Sequence, residues 1–196
     1  MVAFREARPA PATRPTLVGV DATTDDADAI ARARTAIAEA VQRLEAAGAR
    51  DEAVGEYVEP RRVLGIRREP TMRDLGRAWR LGVLLVDRVG TVRATGLITR
   101  VTEPGRPQYQ STSAEIRRAY RAAAVKGGFR AGDTVNHGTV PIPLDEHLRG
   151  AAGPLSVRDG EVVVRWSPTV ADGDALPLAQ YLADRVDLLV HPPEGA

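Results

Sequence analysis

Apolar residues recur at helical spacing through the segment from residue 23 to residue 48. They fall on one face of a helix, at Ile30, Ala33, Ile37, Val41 and Leu44. Thr23 suits the N-cap, and Asp25 and Asp26 would lie in the first turn, where acidic side chains interact favourably with the helix dipole. Gly48 provides a natural end. The pattern predicts a long amphipathic helix.

Two later segments show the same spacing. Thr112 and Glu115 match a capping box, and they precede an apolar stripe made of Ile116, Ala119, Tyr120, Ala123 and Ala124. Gly127-Gly128 would end that helix. Pro177 suits the first turn of a last helix, whose inward face would carry Leu178, Tyr181, Leu182, Val186 and Leu189. Three helices are therefore predicted.

Strand patterns lie between these helices. The run Leu81–Val86 is apolar on both faces, which is typical of a strand buried in the middle of a sheet. A turn at residues 87–91 leads into alternation from Val92 to Thr99, and together they predict an antiparallel hairpin. A second hairpin is predicted over residues 155–166, where Asp159-Gly160 favours a type I′ turn.

The order of these elements predicts an α+β fold with a mostly antiparallel sheet built from two hairpins and packed with about three helices. An α/β layer fold is the alternative, but the long βαβ spacing that it needs is absent. One domain is expected at residues 16–192. Residues 1–15, rich in Pro and Arg, predict a flexible tail, and residues 193–196 predict a second one.

The composition is that of a globular protein, with 43% hydrophobic and 27% charged residues among 196. No apolar run approaches the roughly 20 residues that span a bilayer, and the N-terminus lacks the apolar region of a secretory signal. These features predict a cytoplasmic protein without a membrane partner. The absence of cysteine excludes disulfides, thiolate nucleophiles and Cys-based metal sites.

Positive charge is concentrated in the middle of the chain. Residues 59–130 carry a net charge of +10, against −5 for residues 16–58 and −6 for residues 131–196. The basic segment could pack beside the acidic ones within the fold or across a homodimer. It could instead bind nucleic acid through the basic 115–130 helix, but aromatic residues for base stacking are only 4% of the chain. Nucleic-acid binding is the less favoured prediction.

The 27 basic residues comprise 26 arginines and a single lysine, Lys126. Arginine binds carboxylates and phosphates bidentately, although such a bias also follows from a high-G+C genome. Candidate anion-binding residues flank the short strand-like core Val63–Ile66 or lie on the predicted middle helix: Arg61, Arg62, Arg67, Arg117 and Arg121. Arginines around a strand could equally protect a sheet edge from self-association.

Common catalytic and cofactor motifs are missing. The chain has no Walker A loop, no G-x-G-x-x-G, no G-x-S-x-G elbow, no S-x-x-K and no H-E-x-x-H. No cofactor is predicted, and no motif decides whether the chain is an enzyme.

The segment "DTVNHGTV", residues 133–140, holds the best candidate for acid–base chemistry. His137 titrates near neutrality, and Asp133 could orient it. The sequence favours the simpler interpretation, a polar turn that leads into the segment Val140–Leu144. Zinc could be held if four of the His and carboxylate groups of residues 133–147 converged, namely Asp133, His137, Asp145, Glu146 and His147, but no established ligand spacing is matched, so no metal site is predicted.

Several segments together carry a resemblance to a known family: "EPRRVLGI", "GRAWRLGVLLVDR", "ATGLITR", "EPGR", "GPLSVRDGEVVVRW" and "PLAQYLADRVDLL". Over residues 54–193 the chain resembles a family of short uncharacterised proteins from high-G+C bacteria, often automatically labelled glutaminase. The resemblance implies hydrolysis of a small amide. Serine-dependent glutaminases use S-x-x-K and amidotransferase-type ones use cysteine, and both are absent here. No catalytic residue is carried over.

These observations lead first to a domain that binds a partner or a small anion through its arginine-rich centre. A glutaminase-like amide hydrolase with His137 as the acid or base is the alternative from the enzyme class.

Overall fold

The described residues form three α-helices around a curved sheet. The computed structural model describes residues 21–60, 62–63, 66–67, 69–103, 111–167, 169 and 171–193, with the backbone alone at 21–23, 62–63, 66–67 and 172. The helices are α1 (Asp21–Ala46), α2 (Thr112–Lys126) and α3 (Leu178–Val190). The strands are β1 (Glu52–Val58), β2 (Arg62–Val63), β3 (Ile66–Arg67), β4 (Thr71–Leu81), β5 (Leu84–Asp87), β6 (Val92–Ala94), β7 (Leu97–Arg100), β8 (Thr134–His137), β9 (Val140–Pro141), β10 (Leu155–Arg158), β11 (Glu161–Val164) and β12 (Leu176–Pro177).

Seven of these strands form one mixed sheet, in the order β7-β8-β1-β4-β5-β6-β9. Strands β1 and β8 run parallel, and the other neighbours in this sheet are antiparallel. Strands β10, β11 and β12 form a second antiparallel sheet, and β2 pairs with β3. The predicted α+β class, as a single domain, is confirmed. The prediction of a sheet built from two hairpins is wrong, because strands distant in sequence join it.

The large sheet closes on itself through two bent strands. Strand β6 continues into β7 across Thr95-Gly96, and β8 continues into β9 across Gly138-Thr139. The two bent strands keep one unbroken register on both sides of their bends. Because β6 also pairs with β5, and β8 also pairs with β1, the hydrogen-bond ladder runs round a ring of five strands.

Glycines permit close backbone approach within this ring. A Cβ on Gly96 would collide with the carbonyl oxygens of His137 and Gly138, at the bends of the two paired strands. Gly55 lies where the register of β1 shifts against β4, and a Cβ there would collide with Met72. Both positions therefore require glycine for steric reasons.

Helices cover the outer face of the ring. Helices α1 and α3 and the β10–β11 hairpin pack on a first cluster, which includes Trp79, Leu81, Leu84, Val86 and Val92. Helix α2 packs on a second cluster, made of Ala53, Met72, Val101, Ala123, Ala124 and Val135. Burial of each large apolar side chain contributes about 1.5–3 kcal/mol. The side chains of Val54, Ala78 and Leu85 alternate with these along their strands and form a small cluster on the inner face.

A polar network lies on the same inner face. The side chain of Asn136 is fully buried, and its Nδ2 donates to Glu52 Oε2 at 2.7 Å and to the Ala53 carbonyl at 3.3 Å. Its Oδ1 accepts a hydrogen bond from the Arg80 guanidinium. These bonds join β1, β4 and β8, so they oppose a register shift of β8, which would leave a buried amide unpaired. The neighbouring residue His137 is thereby held on the outer face, beside α2.

A tyrosine on α3 fixes the tight turn between β4 and β5. The Tyr181 hydroxyl donates to the Leu81 carbonyl and accepts from the Val83 amide, both at 2.9 Å. Gly82 between them has φ of +62°, in the left-handed region that favours glycine. The prediction that Leu81–Val86 is one strand is therefore wrong. The run is apolar because the buried ends of two paired strands follow each other in sequence.

The helix predictions fare differently. Helix α1 buries all five predicted apolar residues, and α3 follows Pro177 as expected. In α2 the N-cap is Ser111 and makes no side-chain cap hydrogen bond, so the predicted capping box at Thr112 is wrong. Ile116 of its predicted inward stripe is 48% exposed. The hairpin turn at Asp159-Gly160, with φ of 47° and 70°, is confirmed.

The charged blocks meet within one chain. Asp51, from the acidic N-terminal block, pairs with Arg77 at 2.6 Å and with Arg88 at 3.1 Å. Burial opposes ionisation, yet the hydrogen bonds from these two arginines lower the pKa of Asp51. Arg149 donates from Nε to Asp26 Oδ2 at 2.6 Å. Part of the charge layout is therefore satisfied inside the fold.

The predicted N-terminal tail at residues 1–15 lies outside the described residues, as do 194–196 of the C-terminal one. Among the helices of the described part of the chain, none is both long and apolar enough to cross a membrane.

Candidate functional site

His137 is the last residue of β8 and lies at the bend of that strand. The interpretation of "DTVNHGTV" as a polar turn is wrong, because residues 134–137 pair with β7, and residues 135 and 136 also pair with β1. Only 2% of the His137 surface is exposed. Gly138 follows with φ of +62°, which allows the chain to bend before Thr139. His137 is thus a buried strand residue that immediately precedes the bend.

Three aromatic rings from three elements meet at this point. The Tyr57 ring on β1 and the Tyr120 ring on α2 lie 5.0 Å apart between centroids, at an angle of 87°. The Tyr120 and His137 rings lie 4.4 Å apart at 50°. Such edge-to-face and tilted arrangements are favourable because the positive ring edge faces a negative ring face. Helix α2 therefore contributes a wall of the site as well as core packing.

The imidazole of His137 is held in its neutral form. Burial lowers the pKa of His137, since the protonated ring would lose its hydration. The buried Nε2 atom has no hydrogen-bond partner within the described structure. Leaving such an atom unsatisfied costs about 1–3 kcal/mol, and buried polar groups are seldom left so. The free Nε2 is the feature of the site that a ligand atom would explain.

Burial also affects the neighbouring tyrosine. It raises the pKa of Tyr57, and the nearby Tyr120 and Glu59 add to the effect. The Tyr57 hydroxyl therefore stays protonated and can donate a hydrogen bond.

Arg93, on β6, brings a positive charge to the same place. Its Nε donates to Thr139 Oγ1 at 2.8 Å, which fixes the guanidinium across the pair of bent strands. Its two terminal nitrogens make no hydrogen bond within the described residues. A guanidinium presented in this way can receive a carboxylate.

These residues line one pocket of about 370 Å³, termed the His137 pocket: Gly55, Glu56, Tyr57, Leu75, Arg93, Leu97, Tyr120, His137, Gly138 and Thr139. Its volume lies near the lower end of the roughly 300–1,000 Å³ typical of small-molecule sites. Leu75 and Leu97 are 41% and 56% exposed, so apolar side chains surround a polar centre. Glu56 is paired with Arg73.

The structure does not bring Asp133 and His137 together. Four residues along a strand span about 13 Å. The Asp133 carboxylate instead approaches Arg77 Nη1 at 3.8 Å. His137 and Asp133 thus contact different residues, and no aspartate belongs to the described lining of the His137 pocket.

The five arginines predicted to bind anions are also outside the described lining of this pocket. Arg61 is outside the described residues, and Arg62 and Arg67 pair across β2 and β3 by their backbones. Arg117 is exposed on α2, and Arg121 is half-buried with an Nε atom that has no partner in the described structure.

Arg93, Tyr57 and Tyr120 were not predicted as site residues. Arg93 belongs to a segment in which polar and apolar residues alternate. That alternation predicts a strand but does not indicate which other strand lies beside it. The pairings of β6 with β9 and of β8 with β1 decide these contacts, and they have no local sequence signal.

A second group of possible metal ligands lies at the short 3₁₀ turn of residues 146–148. Ligand atoms of Asp145, Glu146 and His147 lie within 4.8 Å of one another. Asp145 caps this turn by accepting from the His147 amide at 3.0 Å, and His147 Nδ1 lies 2.9 Å from the same oxygen. Local capping accounts for the grouping, and His137 is not part of it.

Comparison of the chain with protein-family models, with curated proteins and with solved structures gives no match. The resemblance to glutaminase-labelled proteins therefore stays a prediction.

Proposed function

We propose that this protein binds a small organic anion in the His137 pocket. The observation that carries the proposal is the meeting, in one pocket, of a buried imidazole with an unpartnered Nε2 and of Arg93, whose terminal nitrogens are free of described partners. The proposal keeps the predicted class of ligand but replaces the five predicted arginines by Arg93 as the binding residue.

An anion is favoured over a cation by the balance of charge. Arg93 is positive, His137 is neutral, and the one carboxylate in the described lining, Glu56, is neutralised by Arg73. A bound carboxylate could accept hydrogen bonds from the Arg93 guanidinium.

Calorimetric titration of the whole chain with small carboxylates tests the proposal. We expect Arg93→Gln to weaken binding by roughly 10- to 100-fold, since hydrogen bonds to a charged group contribute about 1.5–3 kcal/mol. Arg100→Gln is the matched control, because Arg100 is an exposed arginine on β7 outside the described lining. Equal weakening by both substitutions would show that only net charge matters, and no binding by the unaltered protein would refute the proposal.

Acid–base catalysis by His137 is a second candidate. A neutral imidazole can take a proton from a water molecule, as hydrolysis of a small amide requires, once side-chain movement admits water to the buried Nε2 atom. Ammonia release from glutamine measures this activity. We expect His137→Gln to abolish it and His147→Gln, at an exposed position, to leave it unchanged. Absence of ammonia from the unaltered protein would eliminate this candidate.

A homodimer and a cytoplasmic location remain predictions. The homodimer is predicted because different segments carry opposite net charge. Ion pairs such as Arg77–Asp51 already satisfy part of that charge within one chain. Light scattering that gives a monomer at both low and high salt would rule the dimer out.

A further inference from the structure

We infer that the anion taken by the His137 pocket is an aromatic monocarboxylate, a flat apolar ring that carries one acidic group. The inference rests on the proposed function and names its ligand class. It follows from the juxtaposition of an aromatic and aliphatic wall with a single guanidinium in the described lining.

The apolar part of the ligand is indicated by the wall and rim. Leu75 and Leu97 are large apolar side chains that remain substantially exposed at this pocket. The rings of Tyr57 and Tyr120 supply the adjoining wall. An inorganic anion would leave all this apolar surface in water, whereas a ligand with an apolar body would cover it.

The flat shape is indicated by the ring geometry. Tyr57, Tyr120 and His137 already form a row of edge-to-face and tilted contacts, with centroids 4.4–5.0 Å apart. A further ring can extend this row by offset or edge-to-face contact, which adds attraction beyond that of apolar burial. A saturated ring of equal size has no quadrupole and lacks this second contribution.

A single negative charge is indicated by the polar groups. Arg93 is the one arginine in the described lining, and the Glu56 carboxylate lies in the same lining. One carboxylate pairs with one guanidinium in a bidentate manner. A second negative charge would find no second free cation in the described lining, because Arg93 is its one arginine and the Glu56 carboxylate already pairs with Arg73.

The experiment compares four probes by calorimetry on the whole chain at neutral pH: benzoate, cyclohexanecarboxylate, acetate and benzyl alcohol. We expect benzoate to bind at least about tenfold more tightly than acetate, because the ring covers apolar surface. Cyclohexanecarboxylate should bind more weakly than benzoate, and benzyl alcohol, which lacks the charge, more weakly still.

Substitutions assign the two parts of the ligand to the two parts of the pocket. Leu97→Ser, at a position that is 56% exposed, should weaken binding of benzoate and leave binding of acetate unchanged. Tyr120→Leu should do the same, and Tyr120→Phe should retain benzoate binding because it keeps the ring. Thermal melting of each variant verifies that it is folded.

The outcomes separate the inference from the proposal on which it rests. If acetate binds as tightly as benzoate, or if Leu97→Ser weakens both equally, the aromatic ligand class is overturned while anion binding stands. If cyclohexanecarboxylate matches benzoate, the ring need not be flat and the inference is likewise overturned. If none of the three carboxylates binds, both the inference and the proposed function fall.

Discussion

Replacement of Tyr181 by phenylalanine tests whether α3 holds the β4–β5 turn through one hydroxyl. Tyr181 is almost fully buried, and its hydroxyl serves both the Leu81 carbonyl and the Val83 amide at 2.9 Å. Phenylalanine keeps the ring and its packing, so the change removes two hydrogen bonds and little else. The bond to the Leu81 carbonyl is buried, and the bond from the Val83 amide is partly buried.

The expected loss follows from these two bonds. Each hydrogen bond contributes about 0.5–1.5 kcal/mol, and a buried group left unpaired costs about 1–3 kcal/mol. The free energy of unfolding should therefore fall by roughly 2–4 kcal/mol. Since the free energy of unfolding of a domain is commonly only 5–15 kcal/mol, this loss would be large.

Urea denaturation measures the change as a shift of the midpoint at constant slope. Tyr57→Phe is the matched control, because the Tyr57 hydroxyl makes no hydrogen bond within the described structure, and we expect it to cost less than about 0.5 kcal/mol. A loss for Tyr181→Phe no greater than that of the control would refute the role of the hydroxyl.

Three further perturbations have defined outcomes. Because burial lowers the pKa of His137 below that of an unfolded chain, about 6.5, the folded state resists protonation. The neutral histidine therefore makes its full contribution to the free energy of unfolding above about pH 6.5. This contribution is lost as pH falls towards the folded pKa, by up to about 1.4 kcal/mol per pH unit. Denaturation over a pH series should show the loss, and His137→Gln should abolish this pH dependence. Gly96→Ala should lower the melting temperature by several degrees, because its Cβ meets the backbone of β8, whereas Gly153→Ala, with open space around it, should not. In gel-shift assays at low salt we expect no complex with DNA or RNA, because Lys126 pairs with Glu69 and Arg118 with Glu115 on the basic helix; a complex that weakens steeply with salt would contradict this.

Elements with a repeating local pattern were predictable from the sequence. The apolar face of α1 and the Asp159-Gly160 turn each depend on residues close together in the chain, and the structure confirms both. Strand β4 was not predicted, because residues 73–77 are exposed and include Arg73, Asp74 and Arg77, so they show no buried alternation. Its two arginines pair with Glu56 and Asp51 outside the strand, and this compensation has no signature within the strand.

The site was predictable only in part. His137 stood out as one of three histidines, but its burial and its aromatic neighbours depend on β8 pairing with β1 across some eighty residues of sequence. The choice of Asp133 as its partner assumed that nearness along the chain means nearness in space. In an extended strand that assumption fails, because two residues four positions apart are separated by about 13 Å.

The closure of the five-stranded ring also governs when the pocket can exist. Its walls come from β1, β4, β6, β7, β8 and α2, so the complete pocket needs elements that are far apart in sequence. Contacts of such long sequence separation form slowly, because loop closure must precede them. A ligand can therefore meet only a chain that has completed its ring, and it would slow unfolding rather than speed folding. Protection from proteolysis by a bound carboxylate would then report on the opening of the ring.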